Sequence, residues 1–272
     1  MLDSPNAPSG LSEARLGKSE LYPWYDSGWL TAYSKAKATI REVKPDALPA
    51  FVDAMRVFHT RPDFQVHLFD RVFDDEVLSQ IREVAATLRP TDLELHEAHT
   101  FGRFVVHNNP FFTELQERTV ARVSAAAGEP VEASYNFLSL YGRLGVCPAH
   151  MDSPRSKWTL DLCVNQSAPW PIHFSQVCPW PESEMGAPQD ADWESQIKRS
   201  PSLHFTAHTL QPGQAVLFSG SSQWHYRDAI SNAPGGQVCD LLFFHFIPRG
   251  TAALVRPRNW ARLFDIPELV DL

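Results

Sequence analysis

His150 and Asp152 lie two residues apart in AHMDSPRSKWTLDLCVNQ, residues 149–166, just ahead of a run that reads as a strand. In an extended segment residues i and i+2 project to the same side, so this imidazole and carboxylate aim at one point. Such a pair holds a proton, a substrate or a metal ion, and a third group from elsewhere decides which. His225 is that group. It lies in LQPGQAVLFSGSSQWHYRDAI, where Pro212–Gly213 makes a turn, QAVLFSG reads as a buried strand and QWHYRDAI begins the next. Two imidazoles and one carboxylate form a facial set that leaves three adjacent positions open on Fe(II), room for a bidentate co-substrate and O2. A closed zinc site would usually recruit a fourth ligand. His-x-Asp alone is a weak signal, and the plain alternative is a hydrogen-bonded surface pair in a turn. His225 and the flanking strands shift the balance toward a metal.

The elements that must position these residues follow from the pattern. Residues 1–20 are rich in Ser, Pro, Gly and charge and read as mobile. Helical stretches follow up to residue 61, including PDALPAFVDAMRVFHT, opened by Pro45 and Asp46, so 1–61 reads as an N-terminal extension. FQVHLFDRVF alternates and gives way to a helix capped by Asp74 or Asp75, with Val77, Leu78, Ile81 and Val84 on one side. A second amphipathic helix starts at Pro110 and stops at Gly128. Beyond Gly128 about seven short β-like runs are separated by Pro and Gly turns, which predicts a jelly roll or related sandwich backed by helices over 62–272. An acidic, Pro-rich insertion at 178–200 interrupts them and reads as a lid.

Bulk composition narrows the partners. The 272 residues suit one large globular domain, and a net charge of −8 without a Lys/Arg cluster argues against nucleic acid. No apolar run reaches membrane-spanning length. The four cysteines show no CxxC spacing and read as reduced thiols of a cytoplasmic protein.

The order is an aromatic strand ending in Tyr-Gly (LSLYGRLGVCPAHMD), then HxD, then Lys157 and Thr159 entering a strand, then PGQAVLFSG and a distal His. In this order the chain resembles the 2-oxoglutarate- and Fe(II)-dependent oxygenases, most closely the prolyl-hydroxylase-like branch, over roughly residues 62 to 248. The resemblance implies a mainly β, double-stranded β-helix (cupin-like) fold with supporting helices. It implies iron at His150, Asp152 and His225, 2-oxoglutarate and O2 as co-substrates, and oxidation of an unactivated C–H bond. Relatives that halogenate typically lack the carboxylate at the Asp152 position, so hydroxylation or a related oxidation is expected here.

Members of that family usually carry Arg or Lys about ten residues past the distal His to hold the far carboxylate of 2-oxoglutarate. Here that stretch is SNAPGGQVCD, with no basic residue. Arg227, two residues after His225, faces the same side and offers the bidentate grip that Lys lacks. Its plain alternative is a salt bridge to Asp228 or another surface acid. Lys157, Arg143 and Arg249 are weaker candidates. The Tyr141 hydroxyl is a further co-substrate contact, or else a barrel aromatic. His204 and His208 have i,i+4 spacing in what reads as a strand and are assigned structural roles. His245, in LLFFHF, reads as a satisfied core or rim histidine. No tryptophan is assigned a substrate contact. The substrate is expected to be a small molecule, an amino acid or a peptide side chain. Two alternatives stand beside this reading: an iron enzyme whose substrate supplies the electrons itself, and a catalytically silent β-sandwich binding module.

Overall fold

The computed structural model describes residues 21–181, 192–230 and 237–272. The N-terminal elements are α1 (Gly28–Val43) and α2 (Leu48–Met55), the latter flanked by 3-10 turns at Pro45–Ala47 and Arg56–Phe58. Then come β1 (His67–Phe69), α3 (Asp75–Ala86), β2 (Arg103–His107) and α4 (Pro110–Ala127). The strand-rich part contains β3 (Val131–Tyr141), β4 (Cys147–His150), β5 (Trp158–Gln166) and β6 (Ile172–Phe174). It continues through α5 (Trp193–Lys198), β7 (Thr206–His208), β8 (Ala215–Phe218), β9 (His225–Arg227) and β10 (Cys239–Pro248), and α6 (Trp260–Phe264) follows.

The helix limits follow local chemistry. Asp74 caps α3 by accepting the Val77 N–H at 2.9 Å. Asn109 and Pro110 open α4, and Gly128 closes it at φ 75°, a left-handed conformation that favours glycine. The seven runs expected beyond Gly128 each contain a strand, and β4 joins them.

The strands form two antiparallel sheets, one in the order β1-β8-β5-β10-β3-β2 and one in the order β4-β9-β6-β7. This is the expected mainly β architecture with supporting helices. One face of the larger sheet packs on α3 and α4 through Leu138, Leu160, Leu242 and Phe244 against Ile81, Phe112 and Leu115. Its other face meets the smaller sheet across Phe137, Val216, Phe218 and Phe243 on one side and Ile172 and Phe174 on the other. Burial on both faces explains why β5 and β10 read as nearly continuous apolar runs.

The first twenty residues of the expected extension lie outside the described residues. From Leu21 on, the segment is helical and packs Trp24, Trp29, Ile40, Phe51 and Phe58 into a core shared with Met151, Trp224, Val255 and Trp260. The lid reading of 178–200 falls partly outside the described residues; its described end contains α5. Among the described residues no helix is long and apolar enough to cross a membrane.

Candidate active site

β4 and β9 are antiparallel neighbours, and their register sets His150 directly opposite His225. His150 Nδ1 lies 2.8 Å from the Pro148 carbonyl and His225 Nδ1 lies 3.0 Å from the Gln223 carbonyl. A carbonyl only accepts, so each imidazole donates from Nδ1 and turns Nε2 inward. Those Nε2 atoms sit 3.3 and 3.7 Å from Asp152 Oδ1. The three ligand atoms all fall within 4.8 Å of one another.

Asp152 is fixed from behind. Its N–H donates to the Gly220 carbonyl at 2.8 Å, and its Oδ2 is 3.3 Å from the Thr159 hydroxyl, leaving Oδ1 for the histidines. Gly220 is required for this approach, because a Cβ there would collide with Asp152 Oδ2 and the Ser156 carbonyl. Burial opposes the charge on Asp152, but His225 and His150 outweigh it and hold the carboxyl well below the usual range. Burial and the neighbouring His150 push His225 down to about 4. Burial also opposes a charge on His150, yet Cys147 and Asp152 raise it well above its ordinary value. One neutral imidazole, one protonated imidazole and one carboxylate therefore face a common point in the metal-free chain. Two imidazoles and a carboxylate, each oriented by a second contact, fit a divalent metal that tolerates open positions.

The triad opens into a cavity of about 450 Å³ between the sheets, walled in part by Phe101, Tyr135, Phe137 and Phe243. Arg227 lines it and is 2% exposed. Its guanidinium donates to the Trp170 carbonyl and, at 2.7 Å, to Asp161 Oδ2. The counter-ion expected for it, Asp228, instead pairs with Lys198 at 2.9 Å. The reason is the pleat: Arg227 points into the barrel, where the neighbouring carboxylate is Asp161 of β5, while Asp228 lies at the surface. Tyr141 also lines the cavity, and its hydroxyl accepts from Arg103 at 2.6 Å, leaving its own proton free to donate.

Sequence reasoning passed over one strand of this wall. Arg103 of β2 is buried and paired with Glu97, which also accepts the Tyr25 hydroxyl at 2.9 Å. Tyr25 and Asp26 of the N-terminal segment complete the cavity, with Asp26 accepting the Ser153 N–H at 2.7 Å. Among the described residues the cavity wall includes none of Lys157, Arg143, Arg249, His204 or His208. Lys157 is taken up by Glu129 and the Val57 carbonyl. None of the tryptophans lines it either. His245 departs from its expected role. It lines the cavity, and its Nε2 has no partner among the described residues.

The fold recurs in solved structures. HygX from Streptomyces hygroscopicus, with nickel and 2-oxoglutarate bound, matches at TM-score 0.52 and 12% identity over 68% of this chain and 83% of its own. AviO1 from Streptomyces viridochromogenes Tue57 is 16% identical over 73% of this chain and 95% of its own, at TM-score 0.49. SnoN, a non-heme alpha ketoglutarate dependent epimerase from nogalamycin biosynthesis, is 14% identical over 76% and 86%, also at 0.49. No family model and no curated protein sequence matches the chain. At these identities the likeness is one of fold: this chain is a double-stranded β-helix of the kind seen in HygX, and its chemistry rests on its own residues.

Proposed function

We propose that the chain is a non-heme Fe(II)- and 2-oxoglutarate-dependent oxygenase that oxidises a C–H bond of a small molecule or amino-acid side chain. The observation that carries this reading is the convergence of the His150 and His225 Nε2 atoms on Asp152 Oδ1 at the wall of a cavity. The double-stranded β-helix fold, shared with a HygX structure that holds nickel and 2-oxoglutarate, supports it. Iron held by these three side chains would supply an oxygen-activating centre with three adjacent open positions.

The chain's own groups do the rest. The Pro148 and Gln223 carbonyls keep both imidazoles in the ligating tautomer. Thr159 and Gly220 hold the Asp152 carboxylate in place. Arg227 has N–H donors left after serving Trp170 and Asp161, and these hold the far carboxylate of 2-oxoglutarate. The Tyr141 hydroxyl adds a further donor. The aromatic wall excludes water from the reacting carbon.

A second reading has one observation in its favour. Two of the three arginines that line the cavity already hold buried carboxylates, Arg227 with Asp161 and Arg103 with Glu97, so neither offers an incoming dianion an unpaired guanidinium. On that reading the substrate binds iron and supplies the electrons itself. Anaerobic titration of the Fe(II)-loaded protein with 2-oxoglutarate separates the two. A weak visible charge-transfer band that saturates with ligand supports the first. Stoichiometric iron with no band at saturating 2-oxoglutarate replaces it with the second.

A further inference from the structure

We infer that His245 Nε2 is the acceptor that orients the substrate, and that the substrate carries an O–H or N–H donor on an apolar, ring-sized body. The inference rests on the triad being the reaction centre. It extends that reading to what the centre acts on.

The β10 register places His245 between Thr159 on β5 and Tyr135 on β3. The side chain is 3% exposed and lines the cavity. Its Nδ1 is 3.0 Å from the Thr159 hydroxyl, which is also 3.3 Å from Asp152 Oδ2 and 3.5 Å from the Ser156 carbonyl. An ionised carboxylate and a carbonyl only accept, so the single Thr159 proton goes toward them. The assignment that satisfies Asp152, Thr159 and His245 together has His245 donating its Nδ1–H to Thr159, which leaves a lone pair on Nε2. Burial drives the imidazole's pKa down to about 3, so the ring stays neutral. That lone pair has no partner among the described residues. A buried acceptor is costly to leave unmet, and the residue that carries this one lines the cavity.

The surroundings state what else the ligand must be. Tyr135 stacks on His245 at 4.2 Å between centroids, with Phe137 at 5.3 Å and Phe243 at 6.2 Å. These rings offer dispersion and apolar contact, while Arg155 and His107 lie against Tyr135 and Phe137 at their margin. Through Thr159, His245 Nδ1 is two hydrogen bonds from Asp152, and both residues line the same cavity. The substrate therefore presents an apolar ring or similar body to these aromatics and a hydroxyl or N–H to His245.

The test uses two probes of the same shape, phenol and toluene, on the full chain loaded with Zn(II) and 2-oxoglutarate. Ligand-observed NMR gives their affinities by competition. The phenol-to-toluene affinity ratio is expected to fall several-fold, up to about tenfold, in His245→Phe, which keeps a ring beside Tyr135 and removes the acceptor. An unchanged ratio overturns the proposal. A second measurement needs no variant. In the native chain with labelled histidine, the Nε2 nitrogen of His245 is expected to be of the unprotonated type and to shift when phenol binds. A protonated-type Nε2, or one that ignores phenol, also overturns it. Metal content is measured separately. A chain that binds no metal ends the oxygenase reading, while the probe ratio on the metal-free protein still decides the role of His245.

Discussion

At one end of the cavity, two imidazole nitrogens and a carboxylate oxygen lie within 4.8 Å of one another. At the other end, Arg227 and Arg103 already hold buried carboxylates. The first end is open: the carboxylate and two imidazoles gathered this closely need a cation among them, a proton on His150 in the metal-free chain or a metal in its place. The second end is closed: its charges cancel within the protein, and a ligand gains only the N–H donors left over. Losing one group at the open end should therefore be nearly all-or-none, and at the closed end graded.

Asp152→Ala tests the open end most directly. It removes the one anionic ligand, and iron affinity is expected to fall more than 100-fold, beyond what loss of a supporting contact costs. Iron stoichiometry under anaerobic conditions measures it, and retention of tight binding would remove the metal centre from the comparison.

Arg227→Gln is the matching change at the closed end. It should keep iron and weaken 2-oxoglutarate by roughly 10- to 100-fold, with Arg227→Lys partly restoring affinity. It also strands Asp161, at a cost of about 3–5 kcal/mol of stability in urea unfolding. Adding Asp161→Asn should recover stability but not affinity, which separates the two roles of the guanidinium.

The open end should also answer to pH. His150 is raised above its ordinary pKa, so its proton competes with the metal below that value. Iron affinity is expected to climb about tenfold per pH unit while one proton is displaced, and to level off above the raised pKa. Affinity measured across the neutral range checks this, and a flat profile would mean that no proton is displaced.

Tyr141→Phe should have the smallest effect. It deletes one hydroxyl between Arg103 and the cavity, and 2-oxoglutarate affinity is expected to drop only several-fold with iron unchanged. A loss as large as that of Arg227→Gln would make Tyr141 the main anchor and reverse the order within the closed end.

The open end was legible in the sequence because its logic is local. The i, i+2 spacing fixes His150 and Asp152, and turn signals on both sides of QAVLFSG place His225 on a neighbouring strand. The closed end was not, because its logic is pairing across the sheet. Asp161 sits mid-strand in WTLDLCV, and nothing in the chain order says which cation meets it. The clue was the acid itself, since a carboxylate inside an apolar strand needs a partner. Arg103 was passed over because the stretch before it, TLRPTDLELHEAHT, shows neither helical nor strand periodicity. Its strand is short and edge-lying, with Arg103, Val105 and His107 alternating with an exposed Phe104. The alternation after Gly102 was the available signal. His245 reads from the sequence as a satisfied core or rim histidine, but its unmet Nε2 follows from its contact with Thr159, eighty-six residues earlier in the chain.

The N-terminal segment sets the tempo of the site. Tyr25 and Asp26 hold the wall through Glu97 and the Ser153 amide, while Trp24 packs edge-on against Trp224 at 4.8 Å just behind. Asp26 takes a left-handed conformation, φ 64°, that a non-glycine residue keeps only when its surroundings insist. Lifting this segment breaks both polar contacts and the indole pair together, so opening is a small local unfolding event and not the flutter of a free loop. The Ser153 amide serves as the clock: its hydrogen exchange counts openings, and a ligand that fills the cavity should slow it.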